Sequence, residues 1–443
     1  MKRYLSAGLM TVLTLMMLGI QGYAQDAGFT AQDFQERREK LLAYIPEGIA
    51  ILDGPACYYF TGIDSGDVKL ILIPTAIAGK TPAPSAWKTT IYLPSKPPGA
   101  GVWDDVKPSF GSDTMSLCGI ENNAPISSFY GDAARLANIA DTIYVPYRAT
   151  PGPSGDLPRD LTFVDSIRKI LPSAKIKNLT PVIDQLRWKK SAKEIEIMRK
   201  ACVITVNAFD EAARKAKPGI FEYEVEATVN YVFRTNGGRA EFLIIGSGPN
   251  SCILHHMTND RQMLKDELVV IDIGVEYRSM GTDLTRTIPV AGSFTPEQRK
   301  IYGIVLEAQK KAISIVKPGV TLTEVHRAAF EVIEKAGYAK YFIHGTSHTL
   351  NGGSPSNPLT DGLFVPQKHD NRYFANDTAL VSGSMFTIEP GIYIPEKNLG
   401  VRIEDSILVT DNGFEVLTRS APKEIGDIES LVGRKKSSAS ERR

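Results

Sequence analysis

Leu268-Val269-Val270-Ile271-Asp272-Ile273-Gly274 and, after seven intervening residues, Thr282-Asp283-Leu284-Thr285-Arg286-Thr287-Ile288 are two apolar runs, each interrupted by one aspartate. Runs of this length rich in Val, Ile and Leu read as buried strands. A hairpin centred between Tyr277 and Arg278 sets Asp272 directly opposite Asp283. Opposed residues share a face with Cβ atoms ~4.5–5.5 Å apart, so two like charges there need a cation between them. The pattern returns further on, where residues 386–388 lead into Glu389 and residues 401–403 into Glu404. A fold-back centred between Glu396 and Lys397 opposes these two glutamates. Each unpaired buried charge costs several kcal/mol. A nearby base such as Arg286 or Arg402 accounts for one acid; four together require a metal. Oxygen-rich ligation with a single imidazole suits manganese, cobalt, iron or zinc, and two metals sharing bridging carboxylates polarise a carbonyl while generating hydroxide.

All six histidines lie in the same part of the chain. His255, His256, His344, His348 and His369 sit in loop- or strand-like stretches near these acids, whereas His326 falls on an ordinary helix and reads as structural. His344 and His348 have the i, i+4 spacing of a zinc helix, but Gly345 stands where the general-base glutamate of H-E-x-x-H belongs, so that template fails. Gly246-Ser247-Gly248 lacks the third glycine of a dinucleotide loop. Cys252 and His255 point to opposite strand faces and do not form a nucleophile and base.

Around this core of acids the chain shows an internal echo. Lys217-Pro218-Gly219-Ile220 precedes Glu224-Val225, and Lys317-Pro318-Gly319-Val320 precedes Glu324-Val325, an offset of 100 residues. Each copy reads helix, Lys-Pro-Gly, helix, strands, which indicates a duplicated unit with a pseudo-twofold axis. Ser191 with Glu194, and Thr295 with Gln298 behind Pro296, are capping patterns that open helices. A boundary near residue 185 follows. Upstream, an amphipathic run over residues 32–44 and apolar stretches at 48–52, 69–74, 89–93 and 142–146 read as an α/β domain without a single histidine.

The 443 residues carry 51 Lys and Arg against 50 Asp and Glu, with 43% apolar and 23% charged residues. That composition excludes a mainly disordered chain and leaves no global positive field to hold nucleic acid. Lys2 and Arg3, then the apolar residues 7–20, then Gly22-Tyr23-Ala24 form a secretory signal pattern. Its 14 apolar residues fall short of the ~20 that span a bilayer. Cleavage after Ala24 predicts an exported protein, periplasmic or secreted, with 49 basic against 50 acidic residues. Cys57, Cys118, Cys202 and Cys252 are too scattered for a zinc or redox motif and too few for a disulfide scaffold.

Taken together, these motifs resemble the pita-bread metallopeptidase family, which includes aminopeptidase P, prolidase and methionine aminopeptidase. Ile271-Asp272-Ile273-Gly274 with Thr282-Asp283, the His344–His348 segment, Ile388-Glu389-Pro390-Gly391-Ile392-Tyr393 and Arg402-Ile403-Glu404-Asp405 stand in the family's order. Arg37-Arg38 and Tyr59-Phe60-Thr61-Gly62 resemble the amino-terminal domain of aminopeptidase P, prolidase and creatinase, which points to the Xaa-Pro branch. The resemblance implies an α/β N-terminal domain over residues 25–184 and an α+β pita-bread catalytic domain over 185–432. A disordered tail over 433–443 follows the catalytic domain. It also implies that Asp283 and Glu404 bridge two divalent metals, that His348 and Glu389 complete one site and Asp272 the other, and that Glu389 is the acid/base. His255 would steady the tetrahedral intermediate, with His344 and Arg402 also facing substrate.

One position departs from the family, because Pro355 stands where a further active-site histidine is usual, seven residues after His348. Lys368-His369-Asp370 lies 20 residues before Glu389, so an insertion within 351–367 would restore that histidine as His369. The implied activity is an exported Xaa-Pro aminopeptidase using a metal-bridging hydroxide, most simply with manganese, on peptides whose second residue is proline. Proline's amide has no N–H, which excludes peptidases that rely on that donor. Prolidase action on dipeptides, a metal-free creatinase-like hydrolase and a silent peptide-binding relative are the alternatives. Family resemblance further implies a homodimer.

Overall fold

The computed structural model describes residues 28–65, 67–78, 89–103, 105–147, 159–350 and 379–433. The signal pattern of residues 1–24, the 351–367 segment and His369 lie outside these residues, as does the basic tail beyond Gly433. Two compact units meet between Arg187 and Trp188. That division falls just past the expected one, because a helix runs unbroken over Thr180–Trp188.

The first unit is a mixed sheet of six strands: β1 (Ile49–Asp53), β2 (Lys69–Leu72), β3 (Thr89–Leu93), β4 (Asn122–Pro125), β5 (Thr142–Val145) and β6 (Lys175–Asn178), in the order β4-β3-β2-β1-β5-β6. Central β1 buries Ile49 and Ile51 on one face and Ala50 and Leu52 on the other. Ile49 and Ile51 pack with Ile143, Val145, Phe129, Val164 and Ile167. Each fully buried aliphatic side chain contributes ~1.5–3 kcal/mol. The edge strands β4 and β6 carry no apolar run, with every β4 residue only half-buried and β6 partly exposed, and hydrophobic patterning misses both. Helix α1 (Ala31–Tyr44) starts at a capping box between Thr30 and Asp33.

The second unit opens with α2 (Ala192–Lys215). Ser191 N donates to Glu194 Oε2 at 2.7 Å and Glu194 N donates to Ser191 Oγ at 3.2 Å, the expected reciprocal cap. After α2 comes α3 (Glu222–Thr235); the second copy is α4 (Pro296–Ser314) followed by α5 (Leu322–Lys335). The two Lys-Pro-Gly turns behave alike. Gly219 and Gly319 adopt φ of 86° and 91°, a left-handed conformation that glycine enters without a Cβ clash. Gly219 N donates to Met263 O and Gly319 N to Leu380 O, both at 2.9 Å. Ile220 O accepts from Met263 N at 2.9 Å, and Val320 O from Leu380 N at 2.8 Å. The repeat read from sequence is therefore a repeat in hydrogen bonding.

Strands β7 (Arg239–Ser247), β8 (Leu268–Tyr277), β9 (Met280–Gly281) and β10 (Leu284–Pro289) form one sheet. Here the register differs from expectation. Arg278 and Ser279 both have positive φ, 49° and 64°, and make a two-residue turn that pairs Tyr277 with Met280; a type I′ connection of this kind matches the twist of the flanking strands. Asp272 consequently faces Thr285 rather than Asp283. A slip of two residues preserves the face, so Asp283 becomes the diagonal neighbour of Asp272.

The second pair of acids follows the expected register. In β11 (Met385–Ile388) and β14 (Asp405–Thr410), Ile388 pairs with Asp405; in β12 (Gly391–Ile394) and β13 (Leu399–Arg402), Gly391 pairs with Arg402. Between those pairs, Glu389 lies opposite Glu404. The halves join where Glu404 N donates to Thr285 O at 3.0 Å and Arg402 N to Thr287 Oγ1 at 3.0 Å.

Candidate metal centre

Asp272, in the middle of β8, and Asp283, immediately before β10, meet Glu389 and Glu404 from the second half across this join. Asp272, Asp283 and Glu404 are buried. Their charges crowd one another. Burial, then Glu404 and Asp272, push the Asp283 carboxyl well above the usual carboxylate range. Burial and Asp272 raise Glu404, and burial and Glu404 lift Glu389 to about 8 against the opposing pull of His348 and Arg402.

His348 completes the group. Its Nε2 lies 3.2 Å from Asp283 Oδ2 and 3.6 Å from Glu389 Oε1, while Nδ1 is 3.2 Å from Thr349 O. A carbonyl only accepts, so Nδ1 carries a hydrogen, and in the neutral ring this leaves Nε2 as the nitrogen that can ligate a cation beside the carboxylates. Asp283, His348 and Glu404 offer ligand atoms within 4.8 Å of one another. Asp272 Oδ1, Asp283 Oδ1 and Glu404 Oε1 are buried with no hydrogen-bond partner. Native proteins satisfy buried polar atoms, so three orphaned carboxylate oxygens in one cluster fit a missing cation. The remaining oxygens are positioned: Thr285 Oγ1 donates to Glu404 Oε2 at 2.7 Å and Arg402 Nη2 to Asp272 Oδ2 at 2.5 Å.

The residues expected to meet substrate separate into two kinds. His255 is exposed, on the loop after β7, with its field reaching His344. Arg402 is only 4% exposed, and besides Asp272 it donates to Tyr393 Oη at 2.8 Å, Thr285 Oγ1 at 3.2 Å and Leu254 O at 3.4 Å. Tyr393 Oη accepts from Arg402 and so must donate to His344 Nε2, 2.8 Å away. His344 Nδ1 then donates to Gly345 O at 2.7 Å. Both ring nitrogens are used, and burial followed by Arg402 drops the His344 pKa to about 3, which keeps the ring neutral. Arg402 and His344 thus face each other through Tyr393.

Sequence reading gave no role to Tyr393 or Thr285, although each lies within a quoted motif; Thr285 is two positions from Asp283 and so on its face. It also placed His326 apart from the site, whereas His326 Nδ1 lies 2.8 Å from Thr346 Oγ1, between the two loop histidines, with its ring against Phe330 and Phe342. A helix face gives no warning of such a partner 20 residues on.

Residues 196–411 match the M24 metallopeptidase family. The chain is 30% identical to the Xaa-Pro aminopeptidase of Escherichia coli (strain K12) over 459 aligned positions, covering 90% of this chain and 97% of that one. The chain belongs to the M24 metallopeptidase family. Within it the protein falls in the pita-bread Xaa-Pro group and is a metallo-exopeptidase acting on proline-containing peptides. It is 39% identical to the Xaa-Pro dipeptidase of Pyrococcus furiosus over 262 positions, 58% of this chain and 71% of that one. Aminopeptidase PepP of Pseudomonas aeruginosa superposes with a TM-score of 0.76 at 27% identity, covering 91% of this chain and 98% of that structure. Zinc-substituted Escherichia coli aminopeptidase P in complex with product gives 0.77 at 26% with the same coverage. An M24 enzyme with an N-terminal α/β unit before the catalytic unit is the architecture described above.

Proposed function

We propose that this M24 enzyme is an exported Xaa-Pro aminopeptidase that removes the N-terminal residue preceding a proline at the second position with two divalent metal ions, manganese being the metal we favour. The observation that carries the reading is the set of buried carboxylate oxygens without hydrogen-bond partners on Asp272, Asp283 and Glu404, with ligand atoms of Asp283, His348 and Glu404 within 4.8 Å of one another. Asp272, Asp283, His348, Glu389 and Glu404 would hold the metals, which when bound supply Lewis acidity and acidify water. Glu389, beside His348 and opposite Glu404, is placed to act first as general base and then as general acid. It takes the proton of the attacking water and returns it to the proline nitrogen, a leaving group that cannot depart unprotonated. His255, on its exposed loop, donates to the oxygen on which negative charge develops. His369 would add a second donor if the 351–367 segment is looped out.

Aminopeptidase over prolidase is favoured by coverage, since the similarity to the Escherichia coli aminopeptidase spans 90% of the chain and that to the Pyrococcus dipeptidase 58%. The dipeptidase reading rests on the higher identity, 39% against 30%, over the shorter region. Export is supported by the leader pattern over residues 1–24. The deciding experiment compares Xaa-Pro-Xaa tripeptides, Xaa-Pro dipeptides and N-acetylated tripeptides with added manganese. Cleavage of the tripeptide and loss of activity on acetylation are expected; cleavage of dipeptides alone selects prolidase, and equal cleavage of blocked peptides rejects both.

A further inference from the structure

Glu222, the first residue of α3, is fully buried yet touches none of the five proposed metal donors. Its Oε1 accepts from Ser247 N and Ser247 Oγ, both at 2.7 Å, and Asn250 Nδ2 lies 3.2 Å from each oxygen. Oε2 accepts from Arg261 N at 3.1 Å and lies 3.0 Å from His256 Nε2. Next to an acceptor-only carboxylate, Nε2 of His256 carries the hydrogen. Glu222 N returns a bond to Arg261 O at 2.9 Å. Glu222, His256 and Asp260 have ligand atoms within 4.8 Å of one another, spacing that suits a metal. Five donor groups nevertheless fill the roughly four lone-pair sites of the carboxylate. This cluster is therefore the converse of the one at Asp283, where oxygens are orphaned.

What the bonds share is the loop that bears His255. His256 is its buried neighbour, and on the other side Leu254 O accepts from Arg402 Nη2. Beyond them, buried Asn259, held at φ 49°, donates to Leu243 O and accepts from Ile245 N, both at 3.0 Å. We propose that Glu222 and His256 are positioning residues, a polar latch that fixes the loop so that His255 stays within reach of the carboxylate cluster. This rests on the reading of His255 as the donor to the developing oxyanion.

The test uses the manganese-loaded full chain with an Xaa-Pro-Xaa tripeptide. His256→Leu removes one latch donor, and His256→Gln keeps an amide donor near the same place. Glu222→Gln converts an acceptor into a donor. Misplacing a reacting group by about 1 Å costs ~10²-fold, so His256→Leu should lower kcat by about that factor with KM little changed. His256→Gln should recover most of the loss, and Glu222→Gln should behave like His256→Leu. Because the latch acts through His255, adding His256→Leu to His255→Ala should lower kcat no further. Amides of residues 253–258 should exchange faster in His256→Leu, with metal content unchanged. Additive losses in the double variant, or unchanged amide exchange, overturn the latch. Loss of a metal equivalent in Glu222→Gln also overturns it, in favour of a further metal site. Full turnover by His255→Ala would instead sink the role given to His255.

Discussion

Removing the metals should make this protein less stable at pH 8 than at pH 5, the reverse of what an ordinary set of paired carboxylates does. Glu389 is raised from 4.5 to about 8, chiefly by burial and then by Glu404. An acid whose folded pKa exceeds its unfolded one binds more protons when folded, so its contribution is fully present below pH 4.5 and is lost as pH rises towards 8. One pKa unit is 1.36 kcal/mol, and a rise of roughly 3.5 units gives about 4 kcal/mol by pH 8. Asp283 and Glu404 are raised too and act in the same direction. Because the acids share protons, the loss belongs to the cluster rather than to Glu389 alone. The assay is urea unfolding of chelator-treated protein at pH 5, 6.5 and 8, with Glu389→Gln beside it. Glu389→Gln keeps the shape without the charge, so it should abolish turnover yet stabilise the metal-free protein at pH 8 by a few kcal/mol. Equal or greater stability of the chelated wild type at pH 8, or no stabilisation by Glu389→Gln, would refute the picture of a strained anionic cluster.

Asp283→Ala should strip both metals, since in the proposed site this carboxylate serves each ion, and elemental analysis of the purified variant against wild type reads the result directly. Arg286→Met should destabilise by about 3 kcal/mol in urea titration, because it leaves fully buried Asp405 without its main partner; burial alone would raise Asp405, and Arg286 and Lys423 hold it at about 2. His369→Ala should lower turnover by ~10² to 10³ while metals stay bound, the usual cost of one oxyanion donor. His326→Ala is unsuitable as a neutral control, since His326 contacts Thr346 between the loop histidines; a surface change such as Arg168→Ala serves instead, and equal activity of the two variants would exclude His369 from the site.

Much of this site was legible from one strand of reasoning, that a carboxylate inside an apolar run must meet a cation. Period-two alternation placed Asp272 with Asp283 and Glu389 with Glu404 on shared faces, and the duplicated Lys-Pro-Gly turns announced the two halves. The register of the first hairpin was not legible, because it depends on the two positive-φ residues Arg278 and Ser279, neither of them a glycine. Strands β4 and β6 were missed because an edge strand needs a partner backbone more than a hydrophobic face. Local pattern, caps and the faces of side chains follow from forces within a few residues, and these the sequence by itself determined. Only the tertiary structure decided which lone pairs are filled. It orphaned Asp283 Oδ1 and saturated Glu222, turned His348 Nε2 towards the acids, and joined His344 to Arg402 through Tyr393. The donors to Glu222 stand 25 to 39 residues away and Tyr393 meets His344 across 49, so a hydrogen-bond count closes only when the whole chain has folded around it.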